Sequence, residues 1–154
     1  MTETLQTPAV DAPDRETAAA ALLAQLVAYC HRHGPPHCYR DWTARTIEAY
    51  ILHHMRQGTF AWVKRETGEG RWKIGGCGIV WQGNERFIRA RIKLGLAPFH
   101  WQPTDRHGDC LFLEEFVCTA PGALRTLARC FKTRFPRWRE LKRLTLKKER
   151  LVYV

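Results

Sequence analysis

The segment from Cys110 to Pro136, CLFLEEFVCTAPGALRTLARCFKTRFP, constrains the fold more than any other part of the chain. Residues 110–118 form an apolar run typical of a buried strand, and Pro121 and Gly122 mark a tight corner. After the corner, apolar side chains recur at helical spacing, at Leu124, Leu127, Ala128, Phe131 and Phe135. A strand that leads directly into an amphipathic helix predicts a domain in which helices pack on a sheet.

Two helices and a β-hairpin are predicted before this segment. Helical spacing runs from about Glu16 to His33, and a second amphipathic stretch ends at Gly58. Residues 59–65 and 71–82 have the pattern of two strands, joined by the Gly-containing turn ETGEG. The second strand contains Gly75, Gly76 and Gly78. Glycines inside a strand indicate a bulge or a close approach of another backbone.

The remaining segments complete a single domain. Residues 86–94 alternate apolar and basic side chains, which fits a strand with one basic face, with a short helix as the alternative. The last residues, LKRLTLKKERLVYV, predict one or two strands. We therefore predict an α+β (α/β-like) domain over residues 16–154, with a central mixed sheet and flanking helices. Residues 1–15 are polar and acidic, and predict a flexible tail.

Positive charge is concentrated in the last part of the chain. The formal net charge is +10, and residues 125–150 contain eleven Lys or Arg side chains against two Glu. A field of this sign attracts polyanions. The partner could be nucleic acid, an acidic protein or a phosphate-bearing cofactor, and the pattern does not distinguish between them.

The composition predicts a cytoplasmic protein with a packed core. Hydrophobic residues make up 45% of the chain, which includes six Trp. No apolar run approaches the ~20 residues that a membrane span needs. The first residues lack the basic and apolar parts of a secretory signal. The six Cys form no CxxC pair, so we expect reduced thiols. The His- and Cys-rich segment CHRHGPPHC lacks the spacing of a zinc knuckle, so we expect no metal site.

The predicted order of elements over residues 17–154 resembles the GNAT N-acyltransferase fold. The resemblance implies that the strand before the central helix splays from its neighbour and that acyl-CoA lies in the gap. It implies that backbone of Phe116, Val117, Cys118 and Thr119 binds the pantetheine arm of the donor. Phosphate would meet Gly122 and Arg125 at the start of the helix, where unpaired N–H groups point outward. The corner CTAPGALRTL has one Gly where the family has two, and the chain stops before the last elements of the family, so this would be a degenerate, C-terminally truncated member.

Two narrower likenesses add to this expectation. The segment PPHCYRDW is similar to an early motif of the toxin-activating lysine acyltransferases, which take acyl groups from acyl carrier protein. That likeness matches His37 to their catalytic His and Glu114 to their Asp. The shortened corner also resembles that of short GNAT-like proteins of phages and prophages, which would allow a virion-associated location.

Three residues are therefore candidates for catalysis. Glu114 and Glu115 are adjacent in a strand, so we expect them to face opposite sides of the sheet. The inward carboxyl is a candidate general base, or else it forms an ion pair with basic residues of the last strand. His37 is a candidate partner, because His titrates near neutral pH, or else it is a loop residue after two prolines.

Three classes of function remain open from the sequence. The first is an acyltransferase that moves an acyl group from acyl-CoA or acyl carrier protein to an amine. The second is a non-catalytic, GNAT-derived basic binding module, associated with nucleic acid or a virion. The third is a structural component of an assembly.

Overall fold

The computed structural model describes residues 12–35, 39–94, 107–147 and 150–154. Within these ranges four helices and five strands alternate along the chain. The helices are α1 (Ala12–His33), α2 (Ala44–Gln57), α3 (Glu85–Lys93) and α4 (Ala123–Arg134), and the strands are β1 (Phe60–Gly68), β2 (Arg71–Gly83), β3 (Cys110–Cys118), β4 (Lys142–Lys147) and β5 (Arg150–Tyr153). Helix α1 begins at Ala12, earlier than the start near Glu16 that the apolar spacing indicates. Residues 1–11 of the predicted tail lie outside the described residues.

The five strands form one mixed sheet in chain order, β1-β2-β3-β4-β5. The pairs β1–β2, β2–β3 and β4–β5 are antiparallel, whereas β3 and β4 are parallel because α4 connects them. Helices and sheet belong to a single α+β domain, which confirms the predicted fold class and its central mixed sheet.

The sheet separates two apolar layers. One face packs against α1 and α2, through a cluster that includes Leu26, Ile47, Ile51, Ile79 and Phe112. The other face packs against α4, whose buried residues are Ala123, Leu127 and Phe131. The carboxyl half of β3 therefore runs between two helical layers, which is where polar side chains cost the most to bury.

Residues 86–94 differ from the strand prediction. They form α3, because Asn84 caps the helix by accepting a hydrogen bond from the Arg86 N–H at 3.0 Å. Ile88 and Ile92 lie four residues apart, so both reach the apolar cluster from one side of a helix. The predicted strand with a basic face is wrong, and the short helix, the alternative, is confirmed.

The strand glycines allow close packing around the corner after β3. A Cβ on Gly76 would lie 3.0 Å from the Ala123 Cβ, and one on Gly75 would lie 2.9 Å from the Ala120 Cβ. A Cβ on Gly78 would lie 2.7 Å from the Phe116 ring. The predicted close approach is therefore confirmed, and these glycines let the corner and the start of α4 lie against β2.

A helix that crosses a bilayer must be both long and apolar. In the described part of the chain, none of the helices combines the length and apolarity needed to cross a membrane.

Candidate functional site

The parallel ladder between β3 and β4 stops halfway along both strands. Its last pair is Leu113 and Thr145, and the Thr145 hydroxyl also donates to the Leu113 carbonyl at 2.8 Å. Strand β3 continues to Cys118 and β4 continues to Lys147. Among the described residues, no strand pairs with β3 on this side beyond Leu113. The two strands therefore separate at the position of Glu114.

An irregularity in the neighbouring ladder coincides with this separation. On β2, Ile79 pairs with Glu115 and Val80 pairs with Leu113, so Glu114 is an additional residue in a β-bulge. The bulge interrupts the alternation of side chains along β3. As a result the carboxyls of Glu114 and Glu115 both lie on the α1–α2 side. The prediction that they face opposite sides is wrong, because strict alternation holds only in a regular strand.

The Glu114 carboxyl is held by two hydrogen bonds, one from helix α2 and one from strand β2. The Tyr50 hydroxyl of α2 donates to Oε1 at 2.8 Å, and the Trp81 indole N–H of β2 donates to Oε2 at 2.6 Å. Only 9% of the Glu114 side chain is exposed. No ion pair with β4 or β5 is formed by Glu114 in the described structure, so the alternative role predicted for an inward carboxyl does not apply to it. The carboxyl is fixed in position while remaining at the edge of the gap.

Burial raises the pKa of both carboxyls into the neutral range. Burial raises the pKa of Glu114 to about 7, against the opposing effect of the hydrogen bonds from Trp81 and Tyr50. Burial raises the pKa of Glu115 to about 8, where a hydrogen bond from Tyr39 opposes the rise and the nearby Glu114 adds to it. Two adjacent carboxyls with raised pKa values are the arrangement expected of a group that exchanges protons.

His54 is a fixed neutral group beside Glu114. Its Nδ1 lies 2.8 Å from the Thr59 hydroxyl, and that hydroxyl donates its own hydrogen to the His54 carbonyl. The Thr59 oxygen must therefore accept from Nδ1–H, which leaves Nε2 without a proton. Nε2 lies 3.9 Å from Glu114 Oε2. Burial and then the nearby His53 lower the pKa of His54 to about 3, so it stays neutral at physiological pH.

Aromatic rings enclose the two carboxyls from the α1–α2 side. Tyr39 and Tyr50 have ring centroids 6.1 Å apart, and Trp42 contacts both at 5.8 and 5.2 Å. Burial, and next the charge of Glu115, raise the pKa of Tyr39, so its hydroxyl remains a donor. The ring of His54 stands edge-on to Tyr50 at 4.7 Å. These rings cover the carboxyls from that side.

The predicted donor-binding residues of β3 lie in different environments. The Phe116 ring packs on Phe131 of α4 at 5.9 Å, and Val117 is buried on the opposite face. The Val117 carbonyl accepts a hydrogen bond from the Tyr29 hydroxyl at 3.2 Å. Cys118 is exposed, and the Thr119 hydroxyl lies 3.1 Å from that of Tyr29. On the α1 side, the Val117 carbonyl of this segment is thus already hydrogen-bonded to Tyr29.

The corner after β3 differs from an open phosphate site. The N–H groups of Thr119 and Ala120 both donate to the Gly75 carbonyl, at 3.0 and 2.9 Å. Pro121 has no N–H to donate. Gly122 is exposed with a φ of 76° and begins α4, and Arg125 is exposed one turn further on. Two donors of the corner are therefore committed to holding it against β2.

Other candidate groups do not join this site. His37 lies outside the described residues. Cys30 and Cys77 are buried thiols with sulfurs 3.6 Å apart, and Cys77 has a raised pKa, first because of its hydrogen bond with Cys30. In the part of the chain that the structure describes, no three His, Cys, Asp or Glu side chains come together as metal ligands.

Four side chains of the site were not predicted as functional: Tyr39, Tyr50, His54 and Trp81. Tyr50 and His54 belong to the apolar stripe of α2, where a buried Tyr and His four residues apart are the available signal. Polar groups on such a stripe need buried partners, and a strand carboxyl is a suitable one. The pairing itself required the fold.

Known proteins provide no functional assignment for this chain. No protein-family model matches the chain, and no curated protein shows significant similarity to it. The fold and site define an α+β domain with a buried carboxyl pair at the point where two parallel strands separate. The function is therefore inferred from the geometry of this site.

Proposed function

We propose that this protein transfers an acyl group from a thioester donor to an amine, using a GNAT-like fold. The observation that carries the proposal is the buried carboxyl of Glu114, which Tyr50 and Trp81 hold at the point where β3 and β4 separate. A group with a pKa near 7 is matched to proton transfer at neutral pH.

The order of elements supports the fold part of the proposal. Two helices, an antiparallel strand pair, strand β3, helix α4 and the parallel strand β4 occur in the order that the family resemblance implies, with the short helix α3 inserted before β3 and strand β5 added after β4. The open edge of β3 between Glu114 and Cys118 offers backbone groups to an extended donor arm, which would lie as an additional strand.

Glu114 is suited to move the one proton that the reaction requires. An amine attacks a thioester carbonyl only in its uncharged form, so a base must take a proton as the C–N bond forms. In the proposed step the Glu114 carboxylate takes this proton. The tetrahedral intermediate then breaks its C–S bond, and the leaving thiolate takes the proton back from Glu114. The amine loses one proton and the thiol gains one, so the protein is regenerated.

The neighbours of Glu114 have positioning roles in this proposal. Tyr50 and Trp81 hold the carboxyl in one orientation, and the neutral His54 adds no positive charge that would lower its pKa. Glu115, with the higher pKa, keeps its proton when Glu114 has lost its own, so the pair avoids two adjacent negative charges.

The donor would be acyl-CoA or the thioester of an acyl carrier protein. Both carry a phosphopantetheine arm, and the basic residues 125–150 could dock an acidic carrier protein. We propose a cytoplasmic location for this activity, since Cys30 and Cys77 are free thiols 3.6 Å apart, as expected in a reducing compartment.

Thiol release tests the activity directly. The full chain is mixed with S-acyl pantetheine, acyl-CoA or acyl carrier protein, together with a lysine peptide, and free thiol is followed with a chromogenic disulfide. We expect release with at least one donor, and a fall of about 100-fold or more in Glu114→Gln. Glu48→Gln, which changes an exposed acid of α2, should match the wild type. Absence of thiol release with all three donors at millimolar concentration would refute the proposal.

The alternative is a non-catalytic, GNAT-derived binding module for nucleic acid, associated with a phage or virion. A specific observation favours it: the Trp138 ring is surrounded by Lys132, Arg139 and Arg143, at 4.5, 5.1 and 5.4 Å. Aromatic rings with adjacent cations bind single strands by stacking and charge. Gel retardation that weakens steeply with salt, and further in Trp138→Ala, would support this alternative. Unretarded RNA and DNA at low salt would exclude it.

A further inference from the structure

A basic cleft lies between α1 and the β1–β2 hairpin, beside the end of β3. Its volume is about 650 Å³. The residues on which the argument depends are Tyr29, Arg32, Arg65, Lys73 and Thr119. A second cleft of about 610 Å³ adjoins it and shares Lys73 as a lining residue. Together the two clefts are large enough for a ligand of nucleotide size.

The charges around this cleft are arranged unfavourably unless an anion is present. Arg65 and Lys73 are direct cross-strand partners on β1 and β2, and like charges placed opposite each other destabilise a sheet. Arg32 adds a third cation from α1. No acidic side chain is among the described residues that line the cleft. Within the described structure, none of the three cations forms an ion pair.

The cleft is connected to the gap through two hydroxyl groups. The Tyr29 hydroxyl donates to the Val117 carbonyl at 3.2 Å and lies 3.1 Å from the Thr119 hydroxyl. Thr119 lines the cleft and directly follows the open edge of β3. A ligand lying along this edge from Glu114 to Thr119 spans about 17 Å, at ~3.3 Å for each strand residue. An extended pantetheine arm has this length scale, so its phosphate would emerge at the cleft.

The corner at the start of α4 is less suited than the cleft to bind that phosphate. Its Thr119 and Ala120 N–H groups are bound to the Gly75 carbonyl, and Pro121 has no N–H. Arg125 is exposed three residues after Gly122, whereas the cleft provides three cations. The larger number of cations in the cleft, and the N–H groups of the corner that are already bonded or missing, therefore favour phosphate binding in the cleft.

We propose that the cleft between α1 and the hairpin binds the phosphate ester at the end of the donor's pantetheine arm, through Arg32, Arg65 and Lys73. The inference rests on the proposed acyl-transfer function. It assigns phosphate recognition to cations of the first helix and the hairpin. The phosphate ester is common to coenzyme A and to the holo form of a carrier protein.

Calorimetric titration of the full chain tests the site with defined probes. The probes are coenzyme A, adenosine 3′,5′-bisphosphate, holo acyl carrier protein and pantetheine, which has no phosphate. We expect Lys73→Gln and Arg65→Gln each to weaken the phosphate-bearing probes about tenfold or more, with no change for pantetheine. Arg125→Gln, at the corner, is the matched control and should leave binding unchanged. All three residues are exposed, so the variants are expected to fold.

The outcomes separate this inference from the proposed function. Loss of coenzyme A binding in Arg125→Gln, with the cleft variants unaffected, would overturn the inference and return the phosphate to the corner. If the protein turns over S-acyl pantetheine but does not bind the phosphate-bearing probes, the phosphate-site inference is overturned and the acyl-transfer proposal stands. Cleft-dependent binding of adenosine 3′,5′-bisphosphate without thiol release would support the phosphate site and refute the transfer step. Binding of coenzyme A but not of holo carrier protein, or the reverse, identifies the source of the phosphate.

Binding of single-stranded nucleic acid is an additional arm of the same experiment. If Lys73→Gln and Arg65→Gln weaken an oligonucleotide but neither coenzyme A nor the carrier protein, the cleft recognises a polynucleotide backbone and the inference is overturned. If both variants bind the oligonucleotide as the wild type does, the effect on the phosphate-bearing probes is specific to the pantetheine ligand and the inference is supported.

Discussion

Glu114 and Glu115 are consecutive residues of one strand whose carboxyls lie on the same face of the sheet. A β-bulge opposite Ile79 and Val80 produces this arrangement, and Tyr50 and Tyr39 each donate to one of the two carboxyls. Two carboxyls so close titrate as a pair, and the first proton leaves more easily than the second. The site can therefore hold one negative charge near neutral pH without holding two.

The carboxyl pair should make the protein less stable as the pH rises from about 6.5 to 8.5. Both pKa values are raised, to about 7 and about 8, above those of the unfolded chain. The folded state therefore binds more protons. Its advantage is full below the unfolded pKa near 4.3, decreases as the pH rises above that value, and is lost once the pH has passed the folded pKa values. We expect the free energy of unfolding to fall by about 3 kcal/mol between pH 6.5 and 8.5. Urea denaturation at several pH values measures it.

The double variant Glu114→Gln, Glu115→Gln is the control for this pH dependence, because it removes both titrating groups. Its free energy of unfolding should be nearly flat between pH 6.5 and 8.5. His54 contributes with the opposite sign and at lower pH. Its lowered pKa, about 3, gives stability that is lost as the pH falls below the unfolded value near 6.5. An unchanged slope in the double variant would contradict the assignment.

Tyr50→Phe should shift the pH dependence of activity upward. The Tyr50 hydroxyl bonds to the ionised form of Glu114 and opposes the rise in its pKa. Removing the hydroxyl should move the rising limb of kcat against pH up by about one pH unit. Tyr153→Phe is the control, because that exposed hydroxyl bonds to Glu85 and not to the site. If the rising limb of kcat does not shift in Tyr50→Phe, Glu114 is not the group whose proton transfer limits the rate.

Gly78→Ala should destabilise the fold because of one aromatic ring. The new Cβ would lie 2.7 Å from the Phe116 ring, which cannot move freely because it packs on Phe131. We expect a cost of about 1–3 kcal/mol in urea denaturation. In a Phe116→Ala background the same substitution should cost at least about 1 kcal/mol less. Additive effects of the two changes would show that the strain lies elsewhere.

Arg134 should be a stabilising contact between α4 and the start of the sheet. Its Nη1 donates to the Gly58 carbonyl at 2.9 Å and also to the Phe60 carbonyl. Arg134→Ala should cost about 1.5–3 kcal/mol, since it leaves the Phe60 carbonyl without this donor. Arg129→Ala, an exposed position on the same helix, should stay within about 0.5 kcal/mol of the wild type. Thermal and urea denaturation of both variants compare them, and equal values would contradict the assignment.

The strands and most helices were predictable because their apolar periodicity is strong. The stripe of α4 and the hairpin around ETGEG follow directly from residue type. The strand prediction for residues 86–94 is wrong because a short alternation fits either period when the apolar contacts come from the buried Ile88 and the partly buried Ile92. The Asn84 cap is the local feature that decides for a helix.

The site was less predictable than the fold. Glu114 and Glu115 stand out as acids in an apolar strand, but their orientation depends on a bulge opposite Ile79 and Val80 that residue type does not indicate. The hydrogen bond between Tyr50 and Glu114 joins residues 64 positions apart. Periodicity reports which side chains are buried, whereas it does not report which buried polar groups meet.

The short parallel ladder has a mechanical consequence. The ladder that joins β4 to β3 consists of the four residue pairs from Cys110 to Leu113, together with the Thr145 hydroxyl bond. Beyond Leu113, no ladder hydrogen bond joins the two strands in the described part of the chain. A ligand that enters between the strands there would therefore displace no ladder pair. The Glu114 carboxyl would keep its hydrogen bonds from Tyr50 and Trp81 and so its position.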